Sequence, residues 1–258
     1  MRLELLGCGG AAPSATRETA CFLIRDGDRA LLLDLGTGAR RLVGDSKRLS
    51  GVRRVDLVLT HFHLDHVCGL TYLPMIGVEV TIWGPGAWLY GNETASILAP
   101  LLRPPIAPTD VSTTYTVEEL RAGEQSIGGF RVRASAQPRH WAPSAGLRID
   151  DAIALITDTP YEPTSAELAA GVEHLFHEAW SSSASPRYRE RDATAADAAR
   201  VADEAGVRNL VLVHLDPSLT DASVLIDDAR AVFDPVIVGV DEMSFSLSAS
   251  VAEDVSQK

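Results

Sequence analysis

The sequence predicts a layered α/β fold in which strand ends carry a metal site. Three observations point to it. Strand-forming runs alternate with helical segments along the 258 residues. The runs 55–60, 152–157 and 209–213 are nearly continuous in apolar or β-branched residues, as expected of strands buried on both faces. Each finishes at a candidate ligand: His61, Asp158 and His214. Sites in layered α/β proteins gather beyond strand ends, where a rigid sheet meets loops free to carry chemistry. The spacing of the runs fits two αβ halves.

The elements follow in order. Arg2–Leu6 reads as a strand that breaks at Gly7-Cys8-Gly9-Gly10. Thr19–Arg25 and Arg29–Asp34 flank Asp26-Gly27-Asp28, a tight-turn signal that predicts a hairpin. A helix is expected after Gly36, running to about Arg48, and then the strand over 55–60. Val78–Trp83 is a further short strand. Pro85–Leu102 has helical tendency and stops before Pro104-Pro105. Phe130–Gln137, Gly146–Ile149 and Ala152–Thr157 read as successive strands around His140. Thr194 caps a helix whose Ala198, Val201, Ala202 and Ala205 form one stripe, with Asp197 completing a capping-box-like start. Gly206 ends that helix, and the strand Asn209–Val213 follows. Residues 1–246 are expected to form a single domain and 247–258 a polar, frayed tail.

Bulk properties set the context. The chain is 46% hydrophobic and 22% charged, which is ordinary for a folded soluble protein. Its net charge of −12 disfavours broad, sequence-independent binding to nucleic acid, which depends on neutralising phosphates. Cys8, Cys21 and Cys68 form no CxxC pair, and their odd number argues against a disulfide framework. The expectation is a reduced, cytoplasmic setting. No leader is recognisable, and no apolar run approaches the ~20 residues needed to span a bilayer.

The densest signal is His61-Phe62-His63-Leu64-Asp65-His66, four potential ligands within six residues at a strand end. Imidazole nitrogen with carboxylate oxygen suits zinc, and also iron or manganese, whereas calcium would want mainly oxygen. On an extended segment His61 and His63 point to one side. The turn after them lets Asp65 and His66 reach a second position.

This cluster resembles the HxHxDH signature of the metallo-β-lactamase fold superfamily. Leu5-Leu6-Gly7-Cys8-Gly9-Gly10-Ala11-Ala12-Pro13 is similar to the opening strand and loop of its ribonuclease Z-like branch. Arg139-His140 with Ser144, Ile156-Thr157-Asp158-Thr159 and Val211-Leu212-Val213-His214 resemble that branch's later metal motifs. The resemblance implies a four-layer αββα sandwich and two divalent metal ions, zinc first, with manganese or iron as alternatives. His61, His63 and His140 would hold one ion. Asp65, His66 and His214 would hold the other, with Asp158 bridging. Such a pair lowers the pKa of a bridging water toward ~7. His177-Glu178-Ala179 matches the first three positions of the branch's HEAT motif, so Asp65, Asp158, Glu178 and His177 are the expected catalytic group.

Two departures bear on substrate. Asp192-Ala193-Thr194 stands where the branch has His-Ser-Thr, and an acid cannot simply replace imidazole beside an anionic phosphate. Positions 141–157, only 17 residues, leave no room for the tRNA-binding arm of long-armed relatives. The expected reaction is hydrolysis of a small phosphodiester. A lactone, ester or thioester hydrolase and a non-catalytic metal-binding protein are the alternatives. The expected partner is a small molecule and not nucleic acid or membrane, and a homodimer is consistent with the resemblance. Arg139 or Arg148 could contact a substrate anion. Trp141, next to a ligand, would line the entrance or pack against a neighbour.

Overall fold

Continuous apolar runs become central strands, and the amphipathic ones become the flanks. The computed structural model describes residues 1–44, 47–107, 110, 113–185 and 190–247. The first sheet holds β1 (Arg2–Gly7), β2 (Cys21–Asp26), β3 (Arg29–Leu33), β4 (Arg54–Val58), β5 (Glu79–Gly84) and β6 (Thr116–Glu119). The second holds β7 (Gly123–Ile127), β8 (Phe130–Gln137), β9 (Ser144–Ile149), β10 (Ile153–Ile156), β11 (His174–Glu178), β12 (Asn209–Val213) and β13 (Val236–Val238). The last strand, β14 (Ser244–Ser246), returns to pair with β1. The first sheet runs β14-β1-β2-β3-β4-β5-β6 and the second β13-β12-β11-β10-β9-β8-β7. Strands β3 to β6 are mutually parallel, as are β10 to β13. Their carboxyl ends form the rim on which the candidate site is built.

Three buried clusters account for four layers. Leu3, Leu5, Phe22, Ile24 and Leu31 meet Val132, Leu147, Leu155, Phe176 and Val211 between the sheets. The outer face of the first sheet packs Leu23, Leu32, Val55 and Leu57 against Leu42, Leu70, Leu73 and Leu98. The outer face of the second packs Ala154, Leu175, Leu210 and Leu212 against α3 (Pro163–Ala169), α4 (Ala195–Ala205) and α5 (Ser223–Arg230). This is the expected αββα sandwich, and both sheets bury both faces because helices cover each.

Local expectations fare unevenly. The hairpin pairs Phe22 with Leu33 and Asp26 with Arg29. Thr194 caps α4 with the full capping box, its hydroxyl accepting from the Asp197 amide. The helix expected from Gly36 to Arg48 shrinks to a 3-10 segment, Thr37–Leu42. Pro85–Leu102 is broken rather than continuous. Gly91 adopts φ +65° and ends a first turn, α2 (Thr94–Leu98) follows, and a 3-10 turn containing Pro100 closes the stretch. Leu247 belongs with the domain rather than the tail. Its amide donates to the Met1 carbonyl and its side chain enters the inter-sheet core. The rest of the expected tail, 248–258, lies outside the described residues.

Candidate metal centre

Strand ends aim the donors. Loops leaving β4, β8, β10 and β12 carry His61, His140, Asp158 and His214, while α1 (Leu64–Val67) turns Asp65 and His66 inward. Asp158 and His214 sit at φ +56° and +49°, and so does Asp34 (φ +56°) just after β3. A non-glycine residue in the left-handed region costs about 1–3 kcal/mol and persists where surroundings over-determine it. Three such residues at one rim mark a site held in place against local preference.

The two oxygens of Asp158 face different groups. Oδ1 lies 3.6 Å from His61 Nε2, 3.8 Å from His63 Nδ1 and 3.4 Å from His140 Nε2. Oδ2 lies 3.1 Å from His66 Nε2 and 3.4 Å from His214 Nε2. Asp65 Oδ2 completes the second group, 3.4 Å from His66 Nε2 and 3.3 Å from His214 Nε2. The structure therefore brings together all seven residues named as ligands, in overlapping groups: His63, His140 and Asp158; Asp65, His66 and His214; His61, His66 and Asp158; and, with Glu178 added, Asp158 and His214.

Outer partners fix which ring nitrogens point inward as lone pairs. Asp34 Oδ2 accepts from His66 Nδ1 at 2.8 Å. The Thr60 hydroxyl donates to Asp34, so it accepts from His61 Nδ1 at 3.0 Å. His140 Nδ1 donates to the Arg191 carbonyl at 2.9 Å and lies 3.3 Å from Asp192 Oδ1. On the carboxylate side, Asp65 Oδ2 accepts from the Ala11 amide at 2.7 Å. Inward nitrogens and carboxylate oxygens within 4 Å repel one another unless cations lie between them. His61 Nε2 is buried without a hydrogen-bond partner, and the Nε2 atoms of His66 and His214 face each other at 3.1 Å. This donor set fits divalent ions, and the carboxylate and carbonyl groups behind the histidines are the usual second tier of such sites. Even without ions, the charges respond to one another. Burial opposes ionisation of Asp158, but His214, His61 and His66 hold its carboxyl well below the usual range. Burial likewise opposes charge on His214, but Asp158, Asp65 and Glu178 push it up to about 9.

Glu178 ends β11 on the site face. Its Oε1 accepts from the Ala193 amide (3.1 Å) and its Oε2 from Thr159 (3.2 Å), 3.9 Å from His214 Nδ1. Burial pushes its carboxyl up to about 8, with Asp158 and Asp192 adding and His214 opposing. Its hydrogen bonds join the end of β11 to the loop after β10 and to the segment that leads into α4.

His177 does not join the catalytic group. Side chains alternate along β11, so Phe176 and Glu178 face the inner layer while Leu175 and His177 face the helices. There His177 Nδ1 donates to the Glu178 carbonyl, and burial lowers its pKa to about 4. Arg139 is tied to Glu162 and the Tyr161 carbonyl, and Arg148 to Asp151, Leu168 and Ala170. Residues missed from the sequence are Asp34, Thr60 and Arg191. Asp34 ended a predicted strand, like Asp158, and that position was the available signal.

The Metallo-beta-lactamase superfamily profile matches residues 16–157, more than half of the chain. The chain is 28% identical to a Ribonuclease Z of Methanopyrus kandleri, over 93% of this chain and 95% of that protein. Among solved structures, the metallo-beta-lactamase fold protein YhfI from Bacillus subtilis superposes with TM-score 0.76 at 20% identity, covering 95% of this chain and 98% of that one. A diphosphatase from the PhnP family superposes with TM-score 0.72 at 16% identity, covering 96% and 98%.

Proposed function

The chain belongs to the metallo-beta-lactamase superfamily, and from that membership we propose that it hydrolyses a small phosphodiester with two divalent metal ions. It is a metal-dependent hydrolase. In the proposed assignment His61, His63 and His140 hold one ion, Asp65, His66 and His214 the other, and Asp158 both. The observation that carries this reading is the division of Asp158, one oxygen toward each group of donors. When bound, the ions supply Lewis acidity that activates water and neutralises charge on the reacting phosphoryl group. The chain's own residues supply order. Asp34 and Thr60 fix the rings of His66 and His61, the Arg191 carbonyl fixes His140, and the Ala11 amide fixes Asp65. Glu178 is a positioning residue at His214 Nδ1.

Two features support a phosphodiester. The Ribonuclease Z likeness spans nearly the whole chain. Asp192, the residue that favoured acyl chemistry, turns its carboxylate to the outer nitrogen of His140, so it need not oppose a substrate phosphate. A small substrate is supported by the segment between His140 and Asp158, which is consumed by β9 and β10 and carries no inserted arm. The test loads one preparation with zinc or manganese and assays a generic phosphodiester, a lactone and a thioester. We expect phosphodiester turnover at least a hundredfold above free metal, lost in Asp158→Asn. Preference for an acyl substrate, with phosphodiester turnover no better than free metal, would overturn the proposal.

A further inference from the structure

The site has a recognisable mouth. Among the seven donors, His63 has the most exposed side chain, at 34%, and its ring stands 5.3 Å from that of His140. The residues that immediately follow these two ligands, Leu64 and Trp141, are large, apolar and exposed, Trp141 at 70%. Adjacent Cα atoms are about 3.8 Å apart, so the Trp141 backbone lies directly beside that of His140. Neither side chain belongs to a core cluster.

Arg191 is the second half of the feature. Its guanidinium lies over the Trp141 ring, 4.8 Å from the centroid, and donates to the His140 carbonyl at 3.3 Å. The Arg191 carbonyl accepts in return from His140 Nδ1. The two loops are thereby locked together beside the ligand. Unlike Arg139 and Arg148, which bind Glu162 and Asp151, Arg191 has no carboxylate within 4.0 Å among the described residues. A guanidinium carries five donors in a planar fork, and among the described residues this one commits a single weak bond. It stands at the edge of a centre that concentrates Asp34, Asp65, Asp158, Glu178 and Asp192, in a chain of net charge −12. A guanidinium at this rim adds positive charge to that of the proposed ions for an anionic substrate, and an exposed indole face beside it offers a plane for stacking.

Resting on the phosphodiester reading, we infer that Trp141 and Arg191 determine specificity at the mouth of the site. Arg191 engages the anionic phosphoryl oxygens, and Trp141 stacks on a planar aromatic ring carried by one ester group. The preferred substrate class is an aryl-bearing phosphodiester over a purely aliphatic one. Stacking of this kind is worth about tenfold or more in affinity and tolerates varied rings.

The test measures calorimetric binding of phenyl phosphate and ethyl phosphate, equal in charge, to zinc-loaded protein. The panel is wild type, Trp141→Ala, Trp141→Phe and Arg191→Met, matched for zinc content. Wild type should bind phenyl phosphate about tenfold tighter than ethyl phosphate. Trp141→Ala should lose that preference while keeping ethyl phosphate affinity, and Trp141→Phe should retain it. Arg191→Met should weaken both ligands by a similar factor of about ten. The inference is overturned by an intact preference in Trp141→Ala, by unchanged binding in Arg191→Met, or by no measurable phenyl phosphate binding to wild type. Light scattering on the same samples covers a second copy of the chain as occupant. A dimer lost in Trp141→Ala without a change in ligand preference also overturns it. Binding is read without turnover, so the two claims separate. Preference without phosphodiester hydrolysis would sink the reaction and leave the mouth standing, and hydrolysis without preference would do the reverse.

Discussion

Asp34 shows how much of the site depends on a residue that is not itself a donor. Buried and held at φ +56°, it accepts from His66 Nδ1 and from Thr60, which in turn holds His61. Both donor groups are therefore oriented by one carboxylate. Asn tolerates the same backbone but removes the charge behind His66. Asp34→Asn should weaken metal binding by about 10–100-fold in competition with a chelator, and affinity within threefold of wild type would count against the network. Gly10 is the steric counterpart. A Cβ there would lie 2.5 Å from His214 Cε1 and 2.7 Å from both ring nitrogens. Gly10→Ala should displace that ring and reduce bound metal while the far-ultraviolet dichroism stays unchanged. Full metal content in the variant would show the loop to be less close than described. At this scale the proposed ligands are legible in the sequence because four fall within six residues, Asp158 and His214 end apolar runs, and His140 is given by the resemblance. Asp34 was less legible, since a single aspartate after a strand reads equally well as a turn.

Among the elements, β11 decides two assignments at once. Its five residues, His-Leu-Phe-His-Glu, are all buried, yet three of them are ionisable, so no apolar run announces a central strand. Without the strand, His177 and Glu178 look like neighbours in one site. With it, the period of two sends them to opposite faces. Burial lowers the His177 pKa to about 4, against ~6.5 when unfolded. Because the folded value is depressed, the neutral ring contributes fully above pH 6.5, and that contribution disappears as pH falls through about 4. The window is worth about 3 kcal/mol. In chelator-treated protein, the stability difference between wild type and His177→Asn should narrow by that amount from pH 7 to pH 4, read from urea midpoints. Metal-loaded turnover at pH 7 should stay within threefold of wild type. A large loss of turnover with metal content intact would return His177 to the catalytic group. The helix α4 illustrates the opposite case. Its capping box and alanine stripe are local signals that the fold leaves unopposed. Gly36–Arg48 and Pro85–Leu102 had helical composition but lacked caps, and they contain Gly38, Gly44, Gly91 and Pro100, which tertiary packing turns into short segments.

For the whole molecule, the site lies on the seam between two halves. The first sheet and its loops bring Asp34, His61, His63, Asp65 and His66, while the second brings His140, Asp158, Glu178 and His214. Ions bound there would join the layers as well as serve chemistry. Each ion present at a hundred times its dissociation constant stabilises the folded state by about 2.7 kcal/mol. The four-layer arrangement was legible from strands ending in ligands together with the resemblance. Strands β6, β7, β13 and β14 were not, because edge strands carry mixed or alternating burial and are recruited by pairing. No helix among the described residues is long and apolar enough to cross a membrane. The account rests on two ions shared through Asp158, and elemental analysis of zinc- or manganese-loaded, desalted protein tests that most directly. Two equivalents per chain in wild type, falling in Asp158→Asn, is the predicted result. One equivalent or none in wild type, or two retained in the variant, would contradict it.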